Sequence, residues 1–115
     1  MAEFSTTHRE NGEVNIIELN GYLDAHTAQH LEIAISDLIV KNKYKVVVNF
    51  ERLKYISSAG LGVFMAFIET MRSNSGDIKL AAMQPSVYNI FDLLGFPLLY
   101  EIFPTETEAV NKFNQ

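Results

Sequence analysis

The stretch Y-K-V-V-V-N-F-E-R-L-K-Y-I-S-S-A-G-L-G-V-F, residues 44–64, decides the fold. Tyr44–Phe50 holds Val46-Val47-Val48, a short β-branched run suited to a strand buried on both faces, as in a parallel sheet. A turn is expected after Phe50. From Leu61 to Met71 apolar residues recur at helical spacing, and Ser73-Asn74-Ser75-Gly76 closes that helix. Strand followed by helix is half of a βαβ unit, so the flanking segments should repeat the alternation.

They do. Upstream, Glu3–Arg9 alternates loosely as an edge strand, and Asn11-Gly12 is a hairpin signal because both residues tolerate positive φ. Val14–Leu19 forms the second strand, ended by Asn20-Gly21. Asp24, or Thr27 a little later, is placed to cap a helix whose apolar face is Leu31, Ile35, Leu38 and Ile39. Lys41-Asn42-Lys43 closes it with positive charge where the dipole favours it. Downstream, Asp77–Met83 reads as a strand. Pro85 starts a short helix carrying Val87, Ile90, Phe91 and Leu94, stopped by Gly95 and Pro97. Leu99–Phe103 is a last strand. Thr105 and Glu108 fit a capping box for a terminal helix with Ala109, Val110 and Phe113. The order β-β-α-β-α-β-α-β-α predicts an α/β fold with a mixed sheet and right-handed crossovers. Its short connections leave no room for a second domain, so residues 1–115 are expected to form one.

Composition narrows the function. With 115 residues, 48% of them hydrophobic, the chain has enough apolar material for a core. It has no cysteine, hence neither disulfides nor a thiolate metal site, which suits the cytoplasm. A net charge of −5 argues against direct nucleic-acid binding. The N-terminus lacks the apolar core of a signal peptide, and the longest apolar run, Ala59–Ile68, is too short for membrane insertion.

Catalytic signatures are weak. There is no G-x-S-x-G elbow, no G-x-x-x-x-G-K-[ST] loop and no H-E-x-x-H. Gly60-Leu61-Gly62 lacks the third glycine of a dinucleotide fingerprint. His26 and His30 are spaced to share a helix face, but no third metal ligand stands at a recognisable spacing. A Ser58 nucleophile would need a histidine base, and no motif places His8, His26 or His30 beside it. The chain is therefore expected to have no catalysis and no cofactor of its own.

The pair Ser57-Ser58 carries more information. One serine is enough to cap a helix, and two are present. Gly60 and Gly62 fall in its first turn, each at a cost on the order of 1 kcal/mol relative to alanine. Such a cost is explained if another backbone or a ligand approaches there. The stretch also lies at the carboxyl edge of a parallel strand, where open α/β sheets place their sites. A phosphate added to a serine there would meet free N–H groups and the positive end of the helix dipole, so the fold would survive while a docked partner met new charge. On the following helix, Leu61, Phe64, Met65, Ile68 and Met71 form the core stripe. Val63, Ala66 and Phe67 lie off it and are open to a neighbouring helix, a partner or a homodimer.

These motifs resemble the STAS domain and, within it, the stand-alone anti-sigma factor antagonists of bacteria. The resemblance spans nearly the whole chain. It rests on L-N-G-Y-L-D-A-H-T-A at 19–28, on V-V-V-N-F-E-R-L-K-Y-I-S-S-A-G-L-G at 46–62, and on F-D-L-L-G-F with E-I-F-P-T-E-T-E-A-V near the end. It implies one sheet with helices packed mainly on one side. It also implies a binding partner that is both anti-sigma factor and serine kinase, with a histidine-kinase-like ATPase fold. The unmodified antagonist holds that partner and frees a sigma factor. Phosphorylation within D-S-[ST]-G-L-G ends the antagonism, and a metal-dependent serine phosphatase restores it. Aligning G-L-G puts Ser58 at the phosphorylated position, Ser57 where many members have Asp, and Asn49 where an Asp is common at the strand end. Asp24 matches an acidic position near the partner surface. The expected docking surface is thus Asp24, Ser57, Gly60, Leu61, Gly62, Val63 and Phe67. An alternative keeps the fold without the switch, as a constitutive accessory subunit of a transport or signalling complex.

Overall fold

Val46, Val47 and Val48 lie at the centre of a five-stranded sheet and are all fully buried. The computed structural model describes residues 3–115. Its elements are β1 (Phe4–Asn11), β2 (Val14–Leu23), α1 (Ala28–Val40), β3 (Lys45–Ile56), α2 (Ser58–Ser73), β4 (Asp77–Ala81), α3 (Pro85–Leu93), a 3-10 turn (Phe96–Leu98), β5 (Ile102–Phe103) and α4 (Glu106–Phe113). The strands lie in chain order, β1 antiparallel to β2 and every later pair parallel. Each crossover from β2 onward moves one strand in the same direction, so crossovers of one hand lay their helices on one face.

Strand alternation then sorts the two faces. Val46, Val48 and Phe50 pack under α1, α2 and α3, with Leu31, Ile35, Leu38, Phe64, Met71 and Phe91. Val47 points to the other face, where Val14, Ile16 and Ala81 meet Ala109 and Val110 of α4. Three helices on one side and one on the other is the arrangement expected of the motifs above.

Several strand boundaries differ from the sequence expectation. The turn expected after Phe50 is strand: β3 runs on to Ile56, with Arg52, Leu53, Tyr55 and Ile56 paired to residues 20–23 of β2. The polar residues in this extension face solvent, which is why it does not look like a buried strand. Asn20-Gly21 does not end β2 but kinks it. Gly21 has φ +99°, and a Cβ there would lie 2.1 Å from the Glu3 carbonyl oxygen, so no other residue fits without moving β1. The register shifts on either side, and β2 continues to Leu23. The strands expected over Asp77–Met83 and Leu99–Phe103 shorten to Asp77–Ala81 and Ile102–Phe103. Ala82 turns to φ 62° and leaves the strand, while Leu99 and Tyr100 belong to the end of the 3-10 turn.

Candidate functional site

The kink at Gly21 carries the end of β2 to the end of β3. Leu23 pairs with Ile56, and the Ser57 N–H donates to the Leu23 carbonyl at 2.9 Å. Asp24 and Ser57, which follow these two residues, thereby leave the sheet side by side. Ser57 has extended backbone (φ −101°, ψ 172°), and its Oγ accepts from the Gly60 N–H at 3.4 Å. The Leu61 N–H donates to the Ser57 carbonyl at 3.1 Å, the first bond of α2. Ser57 is thus the N-cap. Ser58 is the first helical residue, and its side chain is exposed. The N–H groups of Ser58 and Ala59 have no helical carbonyl ahead of them and point out at the positive end of a 16-residue helix.

Asp24 does not cap α1. Its Oδ1 accepts from the N–H of His26 at 2.9 Å and of Thr27 at 3.1 Å, which stabilises the turn before the helix. Desolvation pushes this carboxyl up, and the bonds from His26 and Thr27 outweigh it, so it titrates below the usual carboxylate range. Thr27 occupies the cap position of α1, but its hydroxyl is spent on the Tyr22 carbonyl at 2.8 Å. The outcome is a rigid turn that fixes an ionised Asp24 next to Ser57. His30, four residues on from His26, stacks on Phe4 with ring centroids 6.5 Å apart. Among the described residues no three His, Asp or Glu side chains gather as a metal site would require.

The outward face of α2 differs from the one expected. Val63, placed off the core stripe by spacing, is buried, and Leu61 is buried with it. Phe67 is half-buried and packs against the core. Val63 and Leu61 are therefore corrected from docking surface to interior, and Phe67 is left only partly exposed: the floor formed by β3, β4 and α1 is wide enough to cover both flanks of the helix. Met65, counted in the core stripe, is 55% exposed. The solvent face is Ser58, Ala59, Gly62, Met65, Ala66 and Glu69, residues at helical spacing with Ser58 at one end. Spacing alone did not identify it, because Met65 and Ala66 are as apolar as their buried neighbours.

The two glycines also separate. A Cβ on Gly60 would come within 2.7 Å of Leu23 Cγ, so this glycine lets α2 settle on the end of β2. A Cβ on Gly62 would meet nothing within 4 Å. Only Gly62 keeps clearance toward solvent. Asn49 lies away from Ser58, on the α4 face, where its Nδ2 donates to Glu106 Oε1 at 2.9 Å and its Oδ1 accepts from the Glu51 N–H at 2.8 Å.

The family model described as the STAS domain matches residues 5–109. The chain belongs to the STAS domain family. This STAS chain is 30% identical over 95 residues to a Bordetella bronchiseptica protein named as a candidate anti-sigma factor antagonist, BtrV; the match covers 83% of this chain and 82% of that one. Among solved structures, an anti-sigma factor antagonist from Mycobacterium paratuberculosis superposes with a TM-score of 0.90 at 21% identity, covering 98% of this chain and 96% of its own. The anti-sigma factor antagonist SpoIIAA in its unphosphorylated form superposes at 0.82 with 25% identity, covering 96% of each chain. Bacillus SpoIIAA in its phosphorylated form superposes at 0.74 with 24% identity, covering 95% of this chain and 99% of its own.

Proposed function

We propose that this STAS protein is a phosphorylation-switched regulator that binds rather than catalyses. Unmodified, it holds an anti-sigma factor that is also a serine kinase, and so releases a sigma factor. Ser58 is the phosphoacceptor. Its Oγ attacks the γ-phosphate of the kinase's ATP, loses its proton and becomes a phosphoserine as ADP leaves. A metal-dependent serine phosphatase hydrolyses the ester and resets the switch.

One observation carries this reading. Capping is done by Ser57, so the exposed Ser58 hydroxyl has no structural task in starting α2. A phosphate on it would meet the free Ser58 and Ala59 amides, which accommodate negative charge without unfolding the helix. The names of relatives lend support, as does SpoIIAA having been solved in both phosphorylation states. The docking surface is the rim of Asp24 and Ser57 together with Gly62, Met65 and Ala66 on α2. Gly62 leaves space for a partner backbone, and Met65 supplies an adaptable apolar contact.

The test is incubation with ATP and the anti-sigma-type kinase of the same host, followed by mapping of the modified residue by mass spectrometry. Phosphate is expected on Ser58, and Ser58→Asp should weaken kinase binding at least tenfold. Phosphate elsewhere, or Ser58→Asp binding like the unmodified protein, would overturn the switch and leave a constitutive accessory subunit.

A further inference from the structure

A second surface lies at the opposite end of α2. Gly95 closes α3 with φ +79°, and the 3-10 turn follows at once. Phe96 and Tyr100 point inward from that turn and stack with centroids 5.2 Å apart, and Phe91 meets Phe96 edge-on at 5.0 Å. Anchoring these rings inward turns the intervening leucines out. Leu93 is 86% exposed, Leu94 57%, Leu98 89% and Leu99 55%. Four leucines within seven residues present on the order of 500 Å² of apolar surface, as large as the largest patch on a typical monomer. Arg72, in the last turn of α2, lies over the Tyr100 ring at 5.7 Å, so the patch sits beside the C-terminal end of that helix. About 20 Å of helix separates Arg72 from Ser58.

We infer that this leucine patch is a self-association surface, joining two copies of the chain about a two-fold axis. The first reason is area. Two such patches face to face bury about 1,000 Å² in total, the lower limit for a specific interface, which corresponds to a weak, concentration-dependent dimer. The second reason is charge. Beside the patch Arg72 is paired with Asp77 and Glu101 with Lys79 within the same chain, so these charges are largely neutralised before two copies meet and add little repulsion. An anionic membrane is a poor match for a chain of net charge −5. The third reason is order. Leucines held on a turn that is anchored by buried rings lose little freedom on docking. Such a dimer leaves both Ser58 sites free at its far ends.

Sedimentation velocity from micromolar to millimolar concentration tests this. The protein should approach twice its monomer mass, and Leu98→Asp should weaken the dimer about tenfold or more. Because Leu98 is so exposed, the variant should keep the parent circular dichroism spectrum. The chain has no native cysteine, so a spin label on Leu98→Cys reports the axis directly, with a short inter-label distance expected. Ser58→Asp should dimerise like the parent, which separates this inference from the phosphoswitch. A protein monomeric throughout, a dimer indifferent to Leu98→Asp, or leucine-dependent sedimentation with phosphatidylcholine vesicles in place of dimerisation would each overturn it.

Discussion

Gly60 and Gly62 stand two residues apart near the start of α2, and their surroundings give their substitutions opposite signs. At Gly60 a methyl group would press into Leu23, which is fully buried and has no open side to move toward. Gly60→Ala should lower stability by about 1 kcal/mol or more, the overpacking cost exceeding the gain in helix propensity. At Gly62 the methyl group enters open space, and Gly62→Ala should raise stability by about 0.5–1 kcal/mol. Urea unfolding of both variants checks the pair. If Gly62 is kept for a partner, the more stable variant should bind the kinase less tightly, and unchanged affinity would show that the clearance is unused. The serines divide in the same way, with Ser57 structural and Ser58 free. The sequence showed that two hydroxyls were one too many, but not which was spare. That depends on the extended backbone of Ser57, which the pairing of β3 with β2 imposes.

Among the elements, α4 is held by charge as well as by Ala109 and Val110. Arg9 on β1 pairs with Glu18 on β2 and with Glu106 on α4, and Asn49 on β3 donates to the same Glu106. Arg9 is the main reason that the Glu106 carboxyl titrates below its usual range; partial burial opposes this, and Asn49 adds to it. The stability from this clamp is present above the ordinary carboxylate range and is lost as pH falls through the depressed value. Asn49→Asp would set a second carboxylate against Glu106. It should cost about 1–2 kcal/mol at neutral pH, and the penalty should shrink in acid as one carboxyl takes up a proton. Guanidinium unfolding at neutral and acidic pH measures the difference; an equal penalty at both would mean that repulsion is not the cause. Helix and strand order was legible in the periodicity of single elements. What was not legible depended on neighbours. Glu51 to Ile56 is strand because β2 runs on beside it, and Val63 is buried because the sheet beneath α2 is broad. Thr27 gives its hydroxyl to a carbonyl of the preceding strand.

For the whole molecule, the alkaline limit of stability is set partly at Tyr100. Its hydroxyl is buried with no hydrogen-bond partner among the described residues, and burial pushes its pKa up to about 12 from 10.0. A raised folded value means that its contribution is complete below pH 10 and disappears between about 10 and 12. Tyr100→Phe should therefore be as stable as the parent or more so at neutral pH, with a flatter alkaline decline in urea midpoints. A variant destabilised at neutral pH would mean that the hydroxyl has a partner after all. The opposite end of the molecule is built to tolerate charge. Phosphate on Ser58 adds roughly two negative charges to a net of −5, but at an exposed helix start remote from the buried rings. Repulsion and the favourable helix terminus should nearly cancel, so the melting temperature of the phosphoprotein should lie within a few degrees of the unmodified form. Hydrogen exchange in β2, β3 and β4 should also be unchanged, while affinity for the kinase falls. The switch then works by changing what docks on α2, and a phosphoprotein with loosened central strands would instead place it in the fold.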